Sequence, residues 1–238
     1  ALPVPLPIPT SITISTRDNY PVAATLYGES GTGPVVLINS GTGIPQEFYK
    51  KFAQYLAAHN CTVVTYDYRG IGQSRSGPIQ SHPGTMKDWA KQDAQAVSDW
   101  LAARYVGRPL SAIGHSFGGQ AFALMTGNTR FARVVLVAAQ SGYWRLFDGL
   151  HRAKTFVLWH VLARLITPML GYFPASKLGL GADLPAGVMQ QWAAWGRHPE
   201  YLMGEFGHGE TNRFMDIQSP ILMLSANDDP IAPARGVA

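Results

Sequence analysis

Cysteine is almost absent from this chain. Cys61 is the single one in 238 residues, so no disulfide can close within it. It precedes the β-branched run Thr62-Val63-Val64-Thr65, which predicts a buried structural thiol. A lone cysteine suits a reducing compartment, and a cytoplasmic location is the expectation. Charge is also scarce. Asp, Glu, Lys and Arg make up 14% of the residues, and the formal charge of +4 is scattered with no basic run. That leaves no electrostatic footprint for nucleic acid. No HExxH or paired His/Cys spacing occurs, so neither metal nor cofactor is expected. Long apolar runs are missing too. The most apolar stretch, Thr155 to Phe173, is broken by His160, Arg164 and Pro168, so it reads as an amphipathic helix or apolar cover rather than a membrane span. The opening ALPVPLPIP lacks the basic and continuous apolar regions of a signal peptide, and reads as a polyproline-II-like arm.

What is present alternates regularly. Ser11–Thr16 and Val22–Tyr27 are β-like runs joined by a hairpin turn. Val35–Asn39 and Thr62–Tyr66 are apolar enough for strands buried on both faces. Between them, Phe48–His59 has a helical pattern that puts Phe52, Tyr55 and Leu56 on the core side. Met86–Tyr105 reads as a long helix with an apolar stripe through Trp89, Val97 and Leu101. Ser111–Gly114 is a short strand before a glycine-rich turn and the helix Gly118–Met125, and Val134–Ala138 and Ile221–Ser225 complete the strands. Strand–helix repeats of this kind argue for a mostly parallel, doubly wound α/β sheet. From about Ser141 to Gln218 the rhythm stops and Trp, Leu, Phe and Gly dominate. The expected organisation is core over residues 1–140, a helical cap insertion over 141–218, and core again over 219–238.

The strongest chemical signal is Gly114-His115-Ser116-Phe117-Gly118-Gly119. A G-x-S-x-G between strand and helix forces a sharp turn that lifts the serine hydroxyl above the sheet edge, and small neighbours let the two backbones pass closely. The N–H of Phe117 then faces a developing oxyanion. The blander reading is a serine N-cap in a glycine-rich turn. A dinucleotide-binding reading of Gly41-Thr42-Gly43 with Asp67 fails, because the third glycine of its fingerprint would fall at Gln46 beside Pro45.

With this elbow, the Ser40-Gly41-Thr42-Gly43 turn and Tyr66-Asp67-Tyr68-Arg69-Gly70-Ile71-Gly72-Gln73-Ser74, the chain resembles the α/β-hydrolase superfamily over nearly its whole length. The pairing of Phe48-Tyr49 with YDYRGIGQS is similar to bacterial hydrolases near the serine-aminopeptidase and lysophospholipase branch. The resemblance implies an α/β-hydrolase fold and Ser116 as nucleophile. It places the second oxyanion donor at Thr42, with Gly41 or Gly43 as alternatives, and makes Asp67 and Arg69 structural. The family's acid is usually followed by one residue and then a branched apolar one. In Ala226-Asn227-Asp228-Asp229-Pro230-Ile231 this selects Asp229 over Asp228, although a solvated Asx-type turn would use the same residues. Aspartate-nucleophile chemistry, as in haloalkane dehalogenases and epoxide hydrolases, is excluded by Ser116.

The family orders its triad Ser, Asp, His. None of the seven histidines lies after Asp229, where only residues 230–238 follow. Three readings compete: a final strand, helix and histidine missing from this chain, a cap histidine such as His208, or a silent relative that keeps the fold for binding. His115 reads as structural. Without a base, turnover would fall on the order of 10⁶-fold. The expected function is an esterase- or lipase-like serine hydrolase acting on a small-molecule ester or amide. The cap residues Trp144, Phe147, Leu150, Phe156, Trp159, Leu162, Leu165, Phe173, Trp192 and Trp195 either line a hydrophobic pocket or pack the cap on the core.

Overall fold

Val35 to Ile38 are all buried, and they divide between two cores. Val35 and Leu37 join one apolar cluster, while Val36 and Ile38 join the other, as the two-residue period of a strand requires. These residues belong to β3 (Val35–Asn39), the middle of a seven-stranded sheet in a computed structural model that describes residues 8–206 and 209–237. The flanking strands are β1 (Thr10–Ser15), β2 (Pro21–Tyr27), β4 (Thr62–Tyr66), β5 (Leu110–His115), β6 (Phe131–Val137) and β9 (Ile221–Leu224). Their spatial order is β1-β2-β4-β3-β5-β6-β9. β1, β2 and β4 pair antiparallel, and every pairing from β4 to β9 is parallel. This is an α/β-hydrolase fold, as expected. The expected proline-rich arm falls largely on residues 1–7, outside the described residues.

Helices cover both faces. α1 (Lys50–Ala58) packs on the smaller cluster through Ala53 and Ala57, with Tyr49 just before it. Here the expectation fails: Phe52 and Tyr55 are 44% and 57% exposed. Small alanines let α1 approach the sheet, and the aromatic row faces outward. On the other face lies α2, residues 86–104, whose Trp89, Val97 and Leu101 are buried as anticipated. Its start is a capping box between Thr85 and Asp88, and its second segment, Trp89–Ala94, is a π turn. α3 (Phe117–Gln120) follows β5. Cys61 is half-buried rather than buried.

Among the described residues, 141–218 add no strand to the main sheet. They form α4 (residues 149–170), a two-residue ladder of β7 (Tyr172–Phe173) with β8 (Leu184–Pro185), and α5 (Ala186–Arg197). The ladder corrects the expectation of a strand-free insertion. Within the insertion Trp159 ties three segments together: its indole N–H donates to Gly142 O at 3.1 Å and its carbonyl accepts from Arg197 at 2.7 Å. The insertion's fastening to the core is ionic: Lys87 of α2 meets Glu205 at 3.1 Å, and Lys91 meets Glu210 at 3.0 Å. β9 then returns to the sheet edge with all four residues exposed, and the short α6 (Ala234–Val237) follows. Among the described residues no helix is long and apolar enough to cross a membrane.

Candidate active site

β5 runs straight into Ser116, which takes φ 51° and ψ −120° before α3 begins. A non-glycine residue in such backbone territory costs about 1–3 kcal/mol and persists only where its surroundings hold it. They do so here. Ser116 N donates to Val137 O on β6 at 2.8 Å, and Ser116 O accepts from Gly119 N at 3.0 Å. The glycines are sterically required. A Cβ on Gly114 would stand 2.4 Å from Gly119 Cα, and one on Gly118 would stand 2.1 Å from Asn39 O. Phe117 anchors the helical side of the turn, its ring buried edge-on to Tyr68 and Trp89 at 5.7 and 5.8 Å.

The loop after β3 lies against this turn. A Cβ on Gly41 would come within 3.4 Å of Ser116 Cβ and 3.3 Å of His115 Nδ1. Gly41 N donates to the Tyr49 hydroxyl at 3.0 Å, and that hydroxyl meets His115 Nδ1 at 2.7 Å. One phenol thus ties the loop to the elbow. Burial lifts the Tyr49 phenol to about 12, so it stays protonated and can serve as donor to the imidazole. Burial pushes the His115 imidazole below its ordinary value, and the carboxylate of Asp229 pulls the other way. His115 therefore has the structural setting expected of it, with a partner the sequence did not reveal.

Thr42 is buried, and its hydroxyl has no hydrogen-bond partner among the described residues. The N–H groups of Thr42 and Phe117 likewise engage no acceptor among the described residues. Gly43 holds φ +66° and accepts from Ala182 N at 2.7 Å, so the insertion rests directly on this loop.

The two acid-bearing turns differ in kind. Asp67 is 1% exposed and has donors on both oxygens: Gln46 N donates to Oδ1 at 2.7 Å, while Gln46 Nε2 and Gln73 N donate to Oδ2 at 3.1 and 2.9 Å. Its neighbour Arg69 bridges Asp93 of α2 at 2.8 Å and Asp18 of the hairpin turn at 2.7 Å. Burial raises the Asp93 carboxyl to about 6 against the pull of that guanidinium, whereas Asp18, more exposed, is held down to about 2 by Arg69. Both Asp67 and Arg69 are structural in setting. Asp93 is the partner that sequence reasoning missed.

Asp229 is half-buried beyond β9. Its Oδ1 accepts from Ile231 N at 2.8 Å and Ala232 N at 3.0 Å, and its Oδ2 takes no hydrogen bond among the described residues. Asp228 is exposed. Both aspartates line a cleft of about 440 Å³ together with Phe147, Asp148, His151 and Arg235. His151 is the histidine there, a placement with no local signal in the sequence. His208 lies outside the described residues. No group of three or more metal-ligating side chains occurs among the described residues.

Of the insertion's apolar residues, Trp159, Phe173 and Trp195 are buried and pack it down, whereas Leu150 and Leu165 face solvent.

A profile of the alpha/beta hydrolase family matches residues 35–238. Among curated proteins, the chain is similar to the probable aminopeptidase YbaC of Bacillus subtilis, 34% identical over 94 residues; the matched stretch takes in 39% of this chain and 29% of that protein. Among solved structures, an esterase from Exiguobacterium antarcticum superposes with a TM-score of 0.61 at 14% identity, covering 95% of this chain and 85% of that one. The alpha/beta hydrolase GrgF from Penicillium sp. sh18 superposes with a TM-score of 0.57 at 18% identity, covering 96% and 83%. At these identities the superpositions speak for the fold.

Proposed function

The chain belongs to the alpha/beta hydrolase family, and from that membership we propose that it is a serine hydrolase cleaving an ester or amide bond of a hydrophobic small molecule through an acyl-enzyme on Ser116. The observation that carries this reading is the strained backbone of Ser116, held between β5 and α3 directly against the Gly41 loop. Strain of that kind clusters at functional sites and, between a strand and a helix, is characteristic of a nucleophile presented at a sheet edge.

Ser116 Oγ attacks the substrate carbonyl carbon while its proton passes to a base. The carbonyl oxygen becomes an oxyanion that the N–H groups of Phe117 and Thr42 receive, both otherwise without an acceptor among the described residues. Preorganised donors of this kind are each worth roughly 3–4 kcal/mol to the transition state. The alcohol or amine leaves with the proton, and water releases the acid from Ser116 by the reverse route. Asp229 is the carboxylate we assign to orient and stabilise an imidazolium base, supported by its free Oδ2 and its electrostatic contact with His115. The insertion acts as a cap over this site, supported by the contact of Ala182 with Gly43.

A second reading, a binding protein on the same fold, draws on one observation: the histidine adjoining Ser116, His115, has its Nδ1 engaged by Tyr49. Labelling with a fluorophosphonate probe separates the two. The hydrolase reading expects label on Ser116, none in Ser116→Ala, and a loss in whichever of His151→Ala or His208→Ala removes the base if the insertion supplies it. An unlabelled wild-type protein that also leaves short p-nitrophenyl esters intact is the binding protein.

A further inference from the structure

The outer face of α4 carries a row of apolar side chains that nothing described covers. Val157, Val161, Leu165 and Met169 recur at intervals of four and are 42%, 39%, 59% and 81% exposed, with Leu150 (67%) two turns before them. The inner row Trp159, Ala163 and Thr167, at the same interval, is buried. In a regular α-helix, steps of four drift by about 40° each, and either row would wind around the helix. The π turn Leu158–Leu162 takes up that drift with its wider circuit. Both rows consequently stay in phase, one against the core and one toward solvent.

The polar residues around the outer row have one sign. Residues 149–170 contain no Asp or Glu, while Arg152, Lys154 and Arg164 are exposed. The acid at the start of the helix, Asp148, is engaged by Arg235 and, at 3.9 Å, by Arg152. An exposed apolar row of this length flanked by cations is what an amphipathic helix presents when it lies in the plane of a lipid interface. A second copy of the chain fits the row less well, since a two-fold contact would bring the Lys154 and Arg164 of both copies together with no acid from the helix between them.

We propose that the outer face of α4 docks on an anionic lipid surface, with the apolar row entering the acyl boundary and Lys154 and Arg164 meeting the phosphate headgroups. The inference is independent of the serine chemistry, and its test uses the Ser116→Ala protein so that lipid turnover plays no part. Co-sedimentation with vesicles of phosphatidylglycerol and phosphatidylcholine should show binding, and vesicles of phosphatidylcholine alone should bind at least about tenfold more weakly. Leu165→Glu with Met169→Glu should abolish the binding. Lys154→Glu with Arg164→Glu should weaken it by at least about fivefold per residue while leaving p-nitrophenyl ester turnover by the otherwise wild-type protein unchanged. Both pairs lie on the surface, and an unaltered circular dichroism spectrum and melting point would show that they fold. No sedimentation with either vesicle, or equal sedimentation with both, overturns the proposal. So does a dimer seen by light scattering that Leu165→Glu with Met169→Glu dissociates, which would assign the row to a second copy.

Discussion

Two aspartates follow parallel strands of the same sheet, β4 and β9, and their surroundings differ in kind. Asp67, after β4, has both oxygens occupied by fixed donors, and a Cβ on Gly72 would stand 2.4 Å from its Oδ2. Asp229, after β9, commits one oxygen to backbone N–H groups and leaves the other without a hydrogen bond among the described residues, at the edge of an open cleft. Both are turns around a carboxylate. A carboxylate buried with fixed donors on both oxygens can hold a fold, whereas one with a whole oxygen unengaged is oriented and still able to accept from a moving partner.

Substitutions test this division. The largest effect is expected of Asp229→Asn in protein that turns over an ester: kcat falls about 10⁴-fold, while the urea midpoint corresponds to a change under about 1 kcal/mol. A matching loss of stability would make Asp229 a second Asp67. Next comes Arg69→Ala, which strands Asp93, wholly buried, without its cation; urea unfolding should register a loss of about 3–5 kcal/mol. Asp67→Asn should cost about 1–3 kcal/mol by orphaning a buried donor, with kcat per folded molecule nearly preserved. A kcat loss as deep as that of Asp229→Asn would erase the contrast.

The smallest effect lies in acid. Arg69 holds Asp18 at about 2 in the folded chain, below the unfolded value of about 3.9. The stability this contributes is fully present above about pH 4 and is lost as pH falls toward 2. Asp18→Asn should therefore flatten the stability profile in that window alone, as read from urea midpoints at successive pH values.

The elbow was legible in sequence because its chemistry and its sterics use the same letters: Gly114, Gly118 and Gly119 sit where strand and helix backbones nearly touch. β3 and β4 were legible because strands covered on both faces need no polar alternation. The orientation of α1 was not, since Phe52 and Tyr55 form as good an apolar row as Ala53 and Ala57, and only the tight approach to the sheet selects the smaller pair. The same ambiguity hid which apolar residues of the insertion face out. Asp93 was invisible as a partner of Arg69 because a lone acid inside a helix ordinarily meets water; here a π turn and the Arg69 loop enclose it. The Tyr49–His115 contact spans 66 positions and has no local trace.

The hydrogen bond from Ala182 N to Gly43 O, at 2.7 Å, joins the insertion to the peptide that follows Thr42. Lifting the insertion would break that bond and release the Gly43 carbonyl. The Thr42 N–H is held from within the loop as well, since Gly41 O, in the same peptide plane, accepts from Ile44 N at 3.2 Å. A guest that displaces the insertion would therefore meet a proposed donor already aimed, and the insertion would discriminate by size in affinity rather than in kcat.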